Sequence, residues 1–227
     1  MKTTISGSTG FFGRVLLKKR LVICGILSSM LYVATDLLAS SWYEGYSPMD
    51  QNYSELLATG APTRPFMILV SILYNLLVAA FAVGVWTSAS PRRTAHITGT
   101  VMVGYALLSM VTPLFFQMDM RGAEVTPLGR LHAPMTGVMS LFILLSMGFG
   151  AFLLERRFRF YSITTIVIVV AFGVVTGLQA PQLIAGQPTP WMGFTERINI
   201  YVTMLWFAVL SIALLRSEMG HPAALKE

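Results

Sequence analysis

Six long apolar stretches, separated by short polar segments, account for most of the 227-residue chain. A helix that crosses a bilayer needs about 20 mostly apolar residues. Stretches of roughly that length run over residues 21–40, 66–87, 95–117, 134–154, 162–180 and 198–215. The pattern predicts an all-α polytopic membrane protein, a bundle of six transmembrane helices. An even number of spans places both termini on the same side of the membrane.

The composition supports a membrane protein and argues against a soluble domain. The chain is 55% hydrophobic and 11% charged, with a mean hydropathy of +0.67. Such a chain cannot hide its apolar surface inside a soluble core. We therefore expect an N-terminal arm over residues 1–20, a transmembrane domain over residues 21–216 and a tail over residues 217–227.

Basic residues orient the predicted bundle, because short cytoplasmic loops carry an excess of Lys and Arg. All but four of the 16 Lys and Arg residues fall on the side of the termini. The exceptions are Arg64, Arg121, Arg130 and Arg197. We expect both termini in the cytoplasm and the protein in the cell membrane, that is, the inner or plasma membrane. The net charge of +6 then reflects topology, and nucleic acid is not an expected partner.

The N-terminal stretch SGSTGFFGR resembles the glycine-rich turn of dinucleotide-binding short-chain dehydrogenases. That turn needs a strand before it, a helix after it and an acidic residue about 20 positions further on. Here the chain enters the membrane instead. We interpret the stretch as a flexible cytoplasmic arm, and no cofactor is assigned.

The few cysteine and histidine residues argue against a metal site. Cys24 is the single cysteine, so neither an intramolecular disulfide nor a thiolate metal site is expected. His96 and His221 are predicted on the opposite side of the membrane from His132. A site with three histidine ligands therefore cannot be assembled.

Asp36 lies near the outer end of the first span, where an ionisable group is costly unless it faces water, a partner or the bundle interior. Gly25, Ser29 and Tyr32 precede it at helical spacing. One face of this helix is therefore small and polar, which favours close helix packing. Asp36 is either a functional group or a structural one that a neighbouring hydroxyl or arginine satisfies.

Two later spans carry similar polar faces. His132 opens the fourth span, with Thr136 and Ser140 one and two turns deeper. Histidine can titrate near neutral pH, donate a hydrogen bond or bind a metal, and a capping role is the simpler alternative. A stripe on the sixth span consists of Glu196, Asn199, Thr203 and Trp206. Ordinary interhelical hydrogen bonding is the alternative interpretation of this stripe.

Three segments resemble a known family. They are DQNYSELLATGAPTRP over residues 50–65, MDMRGAEVTPLGRLH over residues 118–132 and FTERINIYVTMLW over residues 194–206. They are similar to the serine-acidic loop, the aspartate-to-histidine loop and the Glu-Arg helix opening of a prokaryotic six-helix membrane family labelled domain of unknown function nine-nine-eight. A remoter similarity links the Tyr-Ser-Glu segment to the eukaryotic DRAM-like membrane proteins.

One position departs from the family's pattern. The family's usual Ser-Glu-Leu-Gly reads Ser54, Glu55, Leu56 and Leu57 here, and the glycine is displaced to Gly60. The resemblance implies a six-helix fold and a candidate surface at the outer side. It implies no reaction.

The polar and charged residues of the outer side suggest a binding pocket for a lipid or another amphiphile. Carboxylates, arginines and a histidine can pair with a zwitterionic or phosphate-bearing head while apolar helix faces hold the chain. The candidate ligand-binding residues are Asp36, Tyr53, Ser54, Glu55, Arg64, Asp119, His132, Glu196, Arg197 and Asn199. Membrane lipid is the expected partner.

Two other functions are consistent with the same residues. The first is an intramembrane hydrolase in which His132 is the base, Asp36 or Asp119 orients it and Ser54 is the nucleophile. The second is a small-solute or proton-coupled transporter, since buried acidic residues often mark ion paths. The sequence assigns no catalytic residue and leaves open whether the protein is an enzyme.

Gly173 and Gly177 form a pair of small residues one helical turn apart in the fifth span. Such a pair permits close contact between helices, inside the bundle or between protomers. A homo-oligomer that uses this pair is therefore a further possible assembly.

Overall fold

The computed structural model describes residues 6–88 and 92–219. Within them the chain folds into seven α-helices and one short 3₁₀ helix. The α-helices are α1 (Ser6–Trp42), α2 (Arg64–Trp86), α3 (Arg92–Phe115), α4 (Pro127–Gly150), α5 (Arg156–Leu178), α6 (Ala180–Ile184) and α7 (Met192–Met219). The 3₁₀ helix, Tyr53–Leu57, lies in the connection between α1 and α2. The described residues form no strand, only an isolated bridge between Thr59 and Asp119.

Six of these helices are long and apolar enough to cross a membrane. Their spanning parts are Val15–Trp42, Arg64–Trp86, Arg93–Phe115, Pro127–Gly150, Arg156–Leu178 and Met192–Ser217. This result confirms the predicted all-α bundle of six transmembrane helices. The protein is a multi-pass membrane protein.

All six spans begin earlier than the apolar pattern predicts. The second and third do so by two residues, and the first by six, at Val15. The fourth span starts at Pro127 instead of residue 134, the fifth at Arg156 instead of residue 162 and the sixth at Met192 instead of residue 198. For α4 the reason is a local start signal: the Thr126 hydroxyl accepts a hydrogen bond from the Gly129 amide, and proline occupies the first turn. His132 therefore lies inside its helix instead of opening it.

The sequence suggests that the N-terminal segment is a flexible arm. In the structure this segment is helical from Ser6 onward and continuous with the first span. The glycine-rich stretch thus forms part of α1 and no turn between a strand and a helix. Residues 1–5 and the end of the predicted tail, residues 220–227, lie outside the described part of the chain.

Neighbouring helices pack in the order α4, α3, α2, α1, α7 and α5. Glycines bring some of these pairs close together. A side chain at Gly25 would lie 2.8 Å from the ring of Phe81, and one at Gly84 would lie 2.9 Å from the backbone of Val22. The predicted small face of α1 is therefore used to pack α1 against α2.

The long connections 43–63, 116–126 and 179–191 meet at one end of the bundle, which we call the loop-rich end. The turns after α2 and α4 lie at the other, the short-turn end. The bundle interior between the two ends combines a large apolar core with buried hydroxyl and amide side chains such as Ser162 and Asn75. Phe81, Trp206 and Phe207 are almost completely buried there.

Candidate functional site

A buried ion pair joins α1 and α7 at the loop-rich end. Arg197 donates to both carboxylate oxygens of Asp36, from Nη2 at 2.8 Å and from Nε at 2.9 Å. The Tyr201 hydroxyl donates to the same carboxylate at 2.6 Å. Asp36 is 1% exposed and Arg197 is 8% exposed. Buried charges are tolerated when they are paired and hydrogen-bonded, as they are here.

The same arginine binds the connection between α1 and α2. Its Nη1 donates to the carbonyls of Pro48 at 2.8 Å and Gln51 at 3.0 Å, and its Nη2 donates to the Tyr46 hydroxyl at 2.8 Å. Burial raises the pKa of Tyr46, so its hydroxyl stays protonated at neutral pH. Arg197 therefore fixes both α1 and the segment of residues 46–57, which we call the 46–57 segment.

Backbone amides at the start of α7 donate hydrogen bonds to the 46–57 segment. The Phe194 amide donates to the Met49 carbonyl at 2.9 Å, and the Trp191 amide donates to the Asp50 carboxylate at 3.1 Å. A side chain at Gly193 would overlap backbone carbonyls of this segment. Glycine is therefore needed at this position for α7 to approach so closely.

A second ion pair connects the 46–57 segment to the loop between α3 and α4. Arg121 donates to the Glu55 carboxylate from Nη2 at 2.8 Å and from Nε at 3.2 Å. Its Nη1 also reaches the Gln187 carbonyl at 3.0 Å and the Thr189 hydroxyl at 2.9 Å. All three long connections thus meet at one guanidinium group.

Glu196 is a further carboxylate of this region, and no arginine forms an ion pair with it. Its carboxylate accepts a hydrogen bond from the Tyr53 amide at 2.5 Å. At the loop-rich end, the ion pairs between described residues are those of Asp36 and Glu55. Glu196 is partly exposed, although it lies on the same helical face as the buried Phe207.

A cluster of tyrosines lies beside Glu196, toward the bundle interior. The ring of Tyr53 stacks on that of Tyr32 with centroids 4.6 Å apart, and Tyr32 meets Tyr74 edge-on at 4.9 Å. The hydroxyls of Tyr74 and Tyr105 lie 3.1 Å apart, within hydrogen-bonding distance. The cluster draws one ring from each of α1, the 3₁₀ helix, α2 and α3.

Asp119 and His132 occupy a separate position at the start of α4. Asp119 accepts hydrogen bonds from the amide of Thr126 at 2.8 Å and from its hydroxyl at 3.1 Å. His132 Nδ1 lies 2.8 Å from the Phe116 carbonyl. In the described structure, His132 shares no hydrogen bond with Asp36, Asp119 or a serine. His132 therefore bonds to the residue after α3, and Asp119 bonds to the residue before α4.

Three further candidates make structural contacts or none. Arg64 donates to the carbonyls of Leu57 and Pro113. The Asn199 amide, with its oxygen and nitrogen exchanged, bonds to the backbone of α5 at Gly173. Ser54 is partly exposed on the 3₁₀ helix. The site thus brings together Asp36, Tyr53, Glu55, Glu196 and Arg197, while the other candidates lie around it.

Several residues that build the site are absent from the sequence-based prediction. They are Tyr46, Gln51, Arg121, Thr189 and Tyr201. The sequence could have indicated Arg121, because it is one of only four basic residues in the segments that form the loop-rich end. Those segments also contain acidic residues with which an arginine can pair. The carbonyl and hydroxyl contacts depend on loop conformation and leave no such signal.

The halves of α4 and α5 nearest the loop-rich end pack loosely against each other, and we call the space between them the lateral opening. These helices are joined by a short turn, yet they contact each other far less than the other neighbouring pairs do. On the side of α4 facing away from α3, Met147 is buried near the short-turn end, whereas Ser140 is exposed toward the loop-rich end. On α5, Val175 is 45% exposed. The packing between α4 and α5 is therefore looser toward the loop-rich end than toward the short-turn end.

No metal site is formed by these groups. Among residues 6–88 and 92–219, no three His, Cys, Asp or Glu side chains come close enough together to hold a metal ion. The chemistry available at the loop-rich end is that of charged hydrogen bonds, phenol rings and apolar helix faces.

Comparison with known proteins identifies the family. The chain matches the family described as "Protein of unknown function (DUF998)" over residues 26–213, a range that includes every residue of the site. No curated protein matches the chain. No solved structure matches it either. The match covers most of the chain and all six spanning helices, and the protein therefore belongs to the DUF998 family.

Proposed function

We propose that the protein binds a lipid or another amphiphile at the loop-rich end. The polar head of the ligand would lie beside Glu196 and the tyrosine cluster. Its acyl chain would lie between α4 and α5, in the halves of these helices nearest the loop-rich end. The observation that carries the proposal is the lateral opening. We infer that it connects the lipid-facing surface with the polar groups beside Glu196.

The positions along α7 support this arrangement. Glu196, Ile200 and Phe207 share one helical face directed at the bundle interior. Phe207 is 1% exposed, whereas Glu196 and Ile200 are partly exposed. The interior is therefore closely packed toward the short-turn end and accessible toward the loop-rich end.

The matching positions on α4 support the same arrangement. Thr136 donates to the His132 carbonyl at 3.0 Å, and Ser140 donates to the Thr136 carbonyl at 2.9 Å. Their hydroxyls are thus satisfied within the helix, and the surface that they present to the opening is weakly polar. An acyl chain can lie against such a surface without leaving a polar group unpaired.

In this proposal the two ion pairs at this end have a structural role. Asp36 and Arg197 satisfy each other, and so do Glu55 and Arg121. Both pairs hold the 46–57 segment over the end of the bundle. In this proposal they keep the binding surface in place, and the head of the amphiphile meets Glu196 instead.

The experiment that tests the proposal compares lipids retained by purified variants. We expect wild-type protein, extracted in a mild nonionic detergent, to carry a lipid species enriched over the bulk membrane, detected by mass spectrometry. Ser140→Trp fills the opening and should abolish the enrichment. Leu141→Trp, at a residue of the same helix that is 54% exposed on the lipid-facing side, should retain it. Unselective lipid in all three proteins would contradict the proposal.

We further propose that the loop-rich end faces outward from the cell membrane. The support is the distribution of Lys and Arg, most of which lie at the short-turn end. In a Cys24→Ser background, a membrane-impermeant maleimide should label Glu124→Cys in intact cells and leave Arg157→Cys unlabelled. The reverse labelling pattern would overturn this orientation.

A further inference from the structure

We infer that the bound ligand carries a positively charged nitrogen, a primary or quaternary ammonium, and that Glu196 receives it. This inference rests on the proposed amphiphile-binding function and names the chemistry of the head. It follows from the charge balance, the accessibility and the aromatic surroundings of one carboxylate.

Of the three carboxylates that the site brings together, Glu196 alone has no cationic partner among the described residues. Asp36 pairs with Arg197 and Glu55 pairs with Arg121, each at 2.8 Å. Glu196 accepts a hydrogen bond from the Tyr53 amide and has no cationic partner among the described residues. A carboxylate inside a membrane bundle is costly without a partner. A ligand cation supplies the missing partner.

The neighbouring Arg197 cannot take this role. Its Nε and Nη2 donate to Asp36, its Nη1 donates to the carbonyls of Pro48 and Gln51, and Nη2 also donates to Tyr46. A guanidinium group has five N–H donors. Rotating it toward Glu196 would leave Asp36 buried and unpaired.

The aromatic groups beside Glu196 favour an ammonium ion in particular. Tyr53, whose amide binds Glu196, stacks on Tyr32. The negative faces of tyrosine rings attract alkylammonium groups. Burial raises the pKa of Tyr53, so the phenol stays neutral and does not compete with Glu196 for the cation.

A metal cation fits this position less well. Calcium needs about six to eight oxygen ligands, and magnesium needs six at short distances. Glu196 provides a single carboxylate whose neighbours are phenol rings, and no group of metal-ligating side chains occurs in the described part of the chain. An organic cation needs one carboxylate and an apolar surface, which is what the site offers.

The test compares three probes and two carboxylate variants. The probes are dioleoylphosphatidylethanolamine, dioleoylphosphatidylglycerol with the same chains, and free ethanolamine. Binding to the detergent-solubilised protein is measured by native mass spectrometry for the lipids and by calorimetry for ethanolamine. Glu196→Gln removes the charge and keeps an oxygen that can accept the Tyr53 hydrogen bond. Glu124→Gln changes an exposed carboxylate and is the control.

We expect wild type and Glu124→Gln to bind the ethanolamine lipid about tenfold more tightly than the glycerol lipid, and Glu196→Gln to lose that preference. Equal binding of both lipids by wild type and by Glu196→Gln would overturn the inference and leave the amphiphile function intact. Binding of free ethanolamine alone, dependent on Glu196, would support the ammonium site and contradict the amphiphile function. Binding of none of the three probes would overturn both.

Discussion

The two ends of the bundle use charge in opposite ways. At the loop-rich end, arginines are paired with carboxylates and with backbone carbonyls, and Arg197 is 8% exposed. At the short-turn end, Arg156 and Arg157 line an open groove and are exposed. The comparison teaches that the number of charges at an end says little about structure. What matters is whether the folded chain supplies partners for them.

Removal of Arg197 should have the largest effect on this comparison. Arg197→Met leaves the buried Asp36 carboxylate unpaired, and we expect a loss of about 3–5 kcal/mol of unfolding free energy. The measurement is thermal unfolding of the detergent-solubilised protein. The double variant Asp36→Leu, Arg197→Met removes both charges and should recover much of the loss. A single variant as stable as wild type would show that the pair does not hold α1 to α7.

A methyl group at Gly129 should have the next largest effect. Its Cβ would overlap the Asp119 carboxylate, so α4 or the preceding loop must shift. We expect Gly129→Ala to lose about 1–3 kcal/mol, the usual cost of overpacking. Gly137→Ala, in the same helix with open space around it, should be neutral or slightly stabilising. Equal effects of the two substitutions would contradict the contact.

Neutralising Glu55 should have a smaller and more local effect. Glu55→Gln weakens the pair with Arg121, whose side chain is 21% exposed, and solvent screening limits the expected loss to about 1 kcal/mol. Hydrogen exchange should become faster at residues 52–57 and stay unchanged in α2. Glu124→Gln, an exposed carboxylate nearby, should leave exchange unchanged at both places.

The smallest effect is expected at the opposite end. Arg157→Gln removes an exposed charge that has no ion-pair partner in the described structure. We expect a stability change within about 0.5 kcal/mol. A loss as large as that of Arg197→Met would remove the contrast between the two ends.

The sequence predicts the six spans well because spanning length and apolarity are properties of single segments. It places the starts of α4, α5 and α7 several residues too late, since polar residues such as His132 and Glu196 are accommodated inside helices once other elements cover them. It also points to Asp36, Glu55, Glu196 and Arg197 as members of one outer cluster. Hydropathy alone therefore gives the elements and the end at which the polar groups meet.

The pairing within the cluster is beyond the sequence. Asp36 binds Arg197 instead of Arg64, which is closer to it in sequence, and Glu55 binds Arg121. Loop conformation decides which of these groups face each other. The separation of Asp119 and His132 from the cluster has the same cause. No periodicity in the chain records these distances.

The link between Asp36 and Arg197 also has a consequence for biosynthesis. The two residues are 161 positions apart, so the ribosome must finish nearly the whole chain before the aspartate in the first helix can meet its arginine in the last. During that interval the first five spanning helices are inserted while the Asp36 carboxylate has no arginine to pair with. The loop-rich end is therefore completed only when the final helix enters the membrane. A truncated chain without that helix lacks the ion pair between Asp36 and Arg197.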